Sequence, residues 1–329
     1  MKNWASDFSM PRWAHFKIQA GILGVLVGLL GVFTLISPGA FLSPRIYISF
    51  GSTIPFAAIL ALGLTFLVVA GELDLSFPSV MAISGLTFAE IFLHTHQPVT
   101  AFVGAVAVGG MAGWINGLLV VKVGVPSIIA TIGTQFFWRG LSALLADGLA
   151  RNIVSVRETL FHHVMVGRIG GLVPAQAPWC LGIAVILGLI LNRHVFGENV
   201  LFIGDDIHTA RLMGINTDRT RIVLFVFMGM ISALAAVMVC LEMANWWPTQ
   251  GEGYLLLVFA SIFIGGTSVF GGEGTIFGTL VGAVIIGIIE AGIISAGLSG
   301  FWTRLVHGFI IVASVSVYSI AFKTGRGRA

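Results

Sequence analysis

The residues that could do chemistry in this chain are few. Among 329 residues there are 14 Asp or Glu and 17 Lys or Arg. Those in or beside hydrophobic segments are Glu72, Asp74, Glu90, Arg139, Glu242, Glu290 and Arg304. A charge in hydrocarbon is costly, so each must face protein or a water-filled space. Glu90, Glu242 and Arg304 sit near segment ends and read as interfacial. Arg139 and Glu290 lie deeper, and Glu290 is placed to pair or hydrogen-bond across helices. Glu72 and Asp74 border a polar break, where a solvated cytoplasmic position and a position on a solute path both stay open. No Gly-x-x-x-x-Gly-Lys-Ser/Thr run is present to cradle nucleotide phosphates. Zincin spacing and a Gly-x-Ser-x-Gly elbow are also lacking. The expectation is therefore no catalytic residue, no metal and no cofactor. A proton-driven carrier needs carboxylates or histidines in mid-helix. The eight histidines fall mainly at ends and loops, and His162-His163 reads as a solvated loop pair.

The elements that hold these residues are hydrophobic helices. The composition is 57% hydrophobic and 9% charged, with a mean hydropathy of +1.01. Soluble domains carry about a quarter charged residues, so lipid is the implied solvent. Apolar segments run over roughly 18–37, 52–70, 77–93, 99–121, 126–146, 177–192, 221–244, 254–264, 275–296 and 302–322. The expected fold class is an all-α polytopic membrane protein of about ten transmembrane helices. It forms one membrane domain over 1–329: a cytoplasmic arm (1–17), a transmembrane region (18–322) and a cytoplasmic tail (323–329). Lys2, Arg12 and Lys17, with Lys323, Arg326 and Arg328, place both ends inside. Arg151, Arg157 and Arg168 in the outer loop of about 147–176 run against that orientation. The net charge of +3 fits basic helix flanks, not nucleic-acid binding. Cys180 and Cys240 lie in apolar stretches and read as helix packing.

Small residues such as Gly104, Gly109, Gly110 and Gly113, or Gly278, Gly282 and Gly287, let membrane helices approach closely. Two polar, glycine-bearing breaks say more: Ala70-Gly71-Glu72-Leu73-Asp74-Leu75-Ser76 and the run from Gly265 to Gly272. They read as matched breaks of an inverted repeat of segments two to five and seven to ten, an arrangement that marks transport pathways. On that reading Glu72, Asp74, Ser76, Thr267 and Ser268 line or gate the path. The loop between segments six and seven reads as a motor-docking element. Gly204, Asp205 and Asp206 precede a short helix with Ala210, Leu212, Met213 and Ile215 on one face, and Gly214 ends it before Asn216. A helix lying at the lipid interface is the alternative.

That loop resembles the Gly-x-(Asn/Asp)-x-x-Ala-Ala-Arg-x-x-Gly-Ile pattern of permease subunits in ribose/xylose/arabinose-type ATP-binding-cassette importers. Gly71-Glu72-Leu73-Asp74-Leu75-Ser76 resembles their Gly-Gly-Ile-Asp-Leu-Ser. Asn116-Gly117 with the run Val125–Thr134 and Arg139-Gly140 resembles their Asn-Gly, Pro-x-x-x-x-Thr-Leu-Gly-Thr and Arg-Gly. Ile264–Ile276 resembles their Ile-Gly-Gly-Thr-Ser segment. The matches run in order over about 50–320. Glu72 replaces the family's usual Gly and Thr209 its first Ala.

The resemblance implies a vitamin B12 permease-like, type II importer fold with an inverted repeat. It implies two cytoplasmic ATPase subunits, a periplasmic sugar-binding protein and a second permease, as homodimer or heterodimer, in a bacterial inner membrane. The ATPases would press on Gly204, Asp205, Asp206, Ala210, Arg211, Met213, Gly214, Ile215 and Asn216. Ala210, Met213 and Ile215 would enter a groove on the motor while Arg211 meets an acidic group at its rim. Asn116, Thr131 and Thr134 join the candidate path, and no deep, tight sugar pocket is expected. The rival readings are a self-sufficient carrier of a small polar metabolite and an ATP-driven permease for nucleosides.

Overall fold

The computed structural model describes residues 12–326, with side chains over 19–314 and at 316. Most of the expected arm and the end of the expected tail lie outside the described residues. Fourteen α-helices follow in chain order among them: α1 Arg12–Ile36, α2 Pro38–Phe41, α3 Pro44–Val69, α4 Phe77–Thr95, α5 Pro98–Leu118, α6 Ser127–Leu145 and α7 Leu160–Val166. Then come α8 Gln176–Arg193, α9 Val195–Asp205, α10 Ile207–Leu212, α11 Thr217–Met243, α12 Tyr254–Ile264, α13 Ile276–Ser295 and α14 Phe301–Arg326. Each of the apolar segments read from the sequence coincides with a helix. Eight helices among the described residues are long and apolar enough to cross a membrane; α12, with 11 residues, is not.

Local chemistry sets the helix ends. Pro44, Pro78 and Pro98 stand in first turns, where a missing N–H costs little. Gly71, at φ +80°, ends α3, and the Glu72 N–H turns back to the Leu67 carbonyl at 2.9 Å. Small residues bring helices together as expected. A Cβ on Gly113 of α5 would stand 2.1 Å from the Phe225 carbonyl oxygen of α11, and one on Gly282 of α13 would stand 2.1 Å from that of Ser261 in α12.

The helices repeat their neighbour relations. α4 packs on α5 and α6 as α12 packs on α13 and α14; α3 lies against α13 as α11 lies against α5; α4 touches α11 as α3 touches α12. These relations map α3–α6 onto α11–α14. The matched breaks, however, are not the pair expected. Gly272 N–H donates to the Val69 carbonyl at 2.8 Å, so the segments after α3 and after α12 meet at one end of the bundle. Equivalents in an inverted repeat would stand at opposite ends. The counterpart of 70–76 is instead 244–253, the link from α11 to α12. α11 spans 27 residues, about 40 Å of helix, which carries that link to the far end. There its strand Asn245–Trp246 pairs with Arg151–Asn152 of the link between α6 and α7.

Candidate functional site

The first break is an extended segment that runs back along α6. Leu73 N–H donates to Ser127 Oγ at 3.3 Å and Leu75 N–H to Thr131 Oγ1 at 3.1 Å. Alternate residues of a strand stand about 6.6 Å apart and residues four apart on a helix about 6 Å. Ser127 and Thr131 therefore match the step of the extended chain. One turn further along, Thr134 Oγ1 donates to Asn116 Oδ1 (2.7 Å), Asn116 Nδ2 to Ser76 Oγ (2.8 Å), and Ser76 Oγ to Asp74 Oδ1 (2.6 Å). Ser76 N–H also reaches Asp74 Oδ1, at 2.7 Å. Every donor points toward one carboxylate, so the bonds polarise one another. The network lets non-helical backbone stand inside the bundle, where unpaired amides are expensive.

The second inward-folded segment is the one the sequence reading passed over. Trp246 and Gln250 are fully buried. Trp246 Nε1 donates to the Ala82 carbonyl at 2.9 Å and Gln250 Nε2 to that of Ala236 at 2.9 Å. Gly251 takes φ +90°, and a Cβ there would stand 2.1 Å from the Pro78 carbonyl oxygen. Arg139 of α6 ties the two segments together. Its guanidinium donates to the carbonyls of Pro248 (2.7 Å), Gln250 (2.8 Å) and Pro78 (3.1 Å). The half-buried charge is thus met by carbonyl dipoles where the turns of the 247–253 link converge on the first turn of α4. The twin glycines of the 265–272 run drew attention away from this link. The signal for it was Trp246-Trp247-Pro248 with Gly251 and Gly253, a helix-breaking stretch between two apolar helices.

Glu72 does not face solvent. Arg221 Nε donates to Glu72 Oε1 at 2.7 Å, joining the first break to the start of α11, and both side chains are largely buried. All eight residues expected to line a path are covered in this chain. Their exposure is 0% for Ser76, Asn116, Thr131 and Thr267, and at most 9%, at Thr134, for Glu72, Asp74, Thr134 and Ser268. Thr267 Oγ1 has no hydrogen-bond partner among the described residues, while Ser268 Oγ accepts from Phe270 N–H. Glu290 is half-buried and, contrary to expectation, makes no hydrogen bond or ion pair among the described residues.

The 204–216 element is a helix–cap–helix corner. Asp206 ends α9 and caps α10, accepting from His208 N–H (2.7 Å) and Thr209 N–H (2.9 Å). Those N–H groups, Thr209 first, hold its carboxyl below the usual carboxylate range. Gly214 takes φ +84° and Ile215 N–H returns to the Ala210 carbonyl at 3.1 Å, which stops the helix as expected. Asn216 then caps α11 through Arg219 N–H. The facing of α10 differs from expectation. Ala210 is 0% exposed and Ile215 packs on the core, whereas Leu212 is 90% and Met213 58% exposed. Arg211 bonds within the chain, to Thr217 Oγ1 at 2.9 Å and Asp218 at 3.2 Å. Six residues make too short a helix for spacing alone to say which side packs inward. Asp205 is exposed, but Gly204 is wedged. A Cβ on Gly204 would stand 1.7 Å from the Val69 carbonyl oxygen and 2.5 Å from Gly272 N. The corner thus rests directly on the segments that follow α3 and α12.

A helical, apolar chain with a capped corner wedged against backbone breaks is the architecture of a membrane permease. Residues 46–315 match the family described as branched-chain amino acid transport system / permease component, and the chain belongs to that family. It is 32% identical over 306 residues to the ribose import permease protein RbsC of Bacillus subtilis (strain 168), covering 92% of this chain and 94% of the relative. It is 31% identical over 265 residues to the L-arabinose transport system permease protein AraH of Escherichia coli (strain K12), 80% of each. The D-allose transport system permease protein AlsC of the same strain is 29% identical over 322 residues, 96% of each. The resemblance read from the sequence motifs is borne out.

Proposed function

We propose that this chain is the membrane permease subunit of an ATP-binding-cassette importer for a monosaccharide. The reading is carried by the Gly204 wedge: the exposed corner that ends in Leu212 and Met213 abuts both the Val69–Gly71 turn and the Gly271–Gly272 turn. A push on α10 from a cytoplasmic ATPase passes straight into the re-entrant backbone. Hydrolysis belongs to that separate subunit, since the chain carries no phosphate-cradling loop. A type II fold with ten crossings, both termini inside, a second permease and a periplasmic binding protein complete the proposed assembly. Asp74, Ser76, Asn116, Thr131 and Thr134 act in it as the polar frame of the first re-entrant segment, and Glu72 and Arg221 bind that frame to the start of α11.

The monosaccharide comes from the names of the relatives and from their coverage of nearly the whole chain. The family description favours branched-chain amino acids as a second reading. Both are tested by reconstituting the chain with its ATPase and binding protein in nanodiscs. ATP hydrolysis is measured with the binding protein loaded with ribose, arabinose, allose or leucine. Stimulation by a sugar alone supports the sugar reading, and stimulation by leucine alone replaces it.

A further inference from the structure

The convergence of the two re-entrant segments leaves a cavity of about 330 Å³ between α6, the start of α4 and the 251–255 segment. It falls within the range of about 300–1,000 Å³ that small-molecule sites occupy. Its polar lining is Ser79, Gln135, Arg139 and Glu252, and its apolar lining includes Phe136 and Leu255. Ser79 is fully buried, and its hydroxyl has no hydrogen-bond partner among the described residues. An orphan hydroxyl of this kind is unusual enough to need a reason. The Gln135 side chain likewise makes no hydrogen bond among the described residues. Arg139 spends only part of its five-donor fork on the three carbonyls. Glu252 adds an exposed carboxylate that offsets the guanidinium charge.

We infer that this cavity is a solute contact on the translocation path, and that it takes a neutral polyhydroxylated molecule. Cation and carboxylate balance, so neither an anion nor a cation gains from entering. Donors and acceptors of both kinds converge on one space, as hydroxyl groups that both donate and accept require. Phe136 and Leu255 offer apolar surface to the C–H faces of such a molecule. Phe136, which lines the cavity, is 73% exposed on the same helix as the exposed Ile128, Ile129 and Ile132. That apolar side of α6 brings the site to the outer surface of this protomer. An open, half-lined site holds its solute weakly and releases it, which transit requires.

The inference rests on the permease reading but is tested apart from it. In the reconstituted importer, with Cys180 and Cys240 replaced by Ala, cysteine is introduced by Gln135→Cys and Glu252→Cys. Small water-soluble thiol reagents should label both during ATP turnover, and the sugar that stimulates hydrolysis should slow labelling at millimolar concentration. Gln135→Leu and Ser79→Ala should each lower sugar delivered per ATP by about fivefold, the worth of about one hydrogen bond, with normal assembly. Inert cysteines in every nucleotide state would overturn the site. Unchanged delivery in both Gln135→Leu and Ser79→Ala would do the same. If no sugar stimulates hydrolysis in the unaltered importer, the sugar reading fails, while labelling under turnover still decides whether the cavity lies on an aqueous path.

Discussion

Arg221, in the second turn of α11, donates from Nε to Oε1 of Glu72 at 2.7 Å, across 149 positions of sequence. Glu72 stands at the second Gly of the Gly-Gly-Ile-Asp-Leu-Ser motif that this stretch resembles, and with Arg221 it forms a largely buried ion pair at the foot of the first break. Breaking a buried pair strands the remaining charge. Glu72→Ala is expected to cost about 3 kcal/mol of stability, read as a lower midpoint of thermal unfolding in detergent. The double variant Glu72→Gly with Arg221→Leu should cost clearly less than the sum of the single changes. Strict additivity would show that the pair does not hold the segment.

Gly204 has no room for a side chain, because the Val69 carbonyl and Gly272 amide already occupy its Cβ position. Gly204→Ala must push α9 away from the end of α3 by an ångström or more. The expected outcome is loss of binding-protein-stimulated ATP hydrolysis even where the dimer still assembles. Full stimulation in a correctly assembled Gly204→Ala importer would separate the corner from the re-entrant segments mechanically.

Leu212 and Ala210 should behave oppositely. Leu212 is almost wholly exposed, so Leu212→Asp should leave the unfolding midpoint unchanged while weakening ATPase association at least tenfold, as loss of a central apolar anchor does. Ala210 is enclosed, so Ala210→Trp should cost about 3 kcal/mol through overpacking within the chain. Unfolding curves and ATPase pull-down, measured on both variants, separate the two effects.

Asp206 gives the corner a pH dependence. Its carboxyl is held below the ordinary range by the Thr209 and His208 N–H groups. A depressed folded-state value means that the cap's contribution is whole above the unfolded value, about 3.9. It is lost as pH falls through the lower folded value. Hydrogen exchange at the Thr209 and His208 amides should stay protected through the ordinary carboxylate range and lose protection only as pH falls through that lower folded value. In Asp206→Ala the same amides should be unprotected throughout.

The membrane architecture was legible in the sequence because apolar length and missing charge act along the chain, locally. The corner was legible for a similar reason: Asp206 and Gly214 start and stop a helix through bonds to their own neighbours. What escaped depended on partners far away in sequence. Nothing near Arg139 announces the carbonyls of Pro248 and Gln250, and nothing near Glu72 announces Arg221. The glycine runs drew a pairing of 70–76 with 265–272, which do touch, yet the repeat in helix packing pairs 70–76 with 244–253. Among the polar residues of the path motifs, Thr131 accepts from the Leu75 N–H of the first extended segment, and Asn116 and Thr134 complete the network that ends on Asp74, partners that lie 18 to 58 positions away in sequence.

The central claim is that this chain conducts a sugar only when a separate ATPase drives it. Proteoliposomes containing the chain alone, and others containing chain, ATPase and loaded binding protein, are compared for uptake of labelled ribose, arabinose and allose. At least one sugar should accumulate uphill in the complete system with ATP. The chain alone should accumulate none under any proton gradient. Uphill uptake by the chain alone, driven by a proton gradient, would contradict that claim.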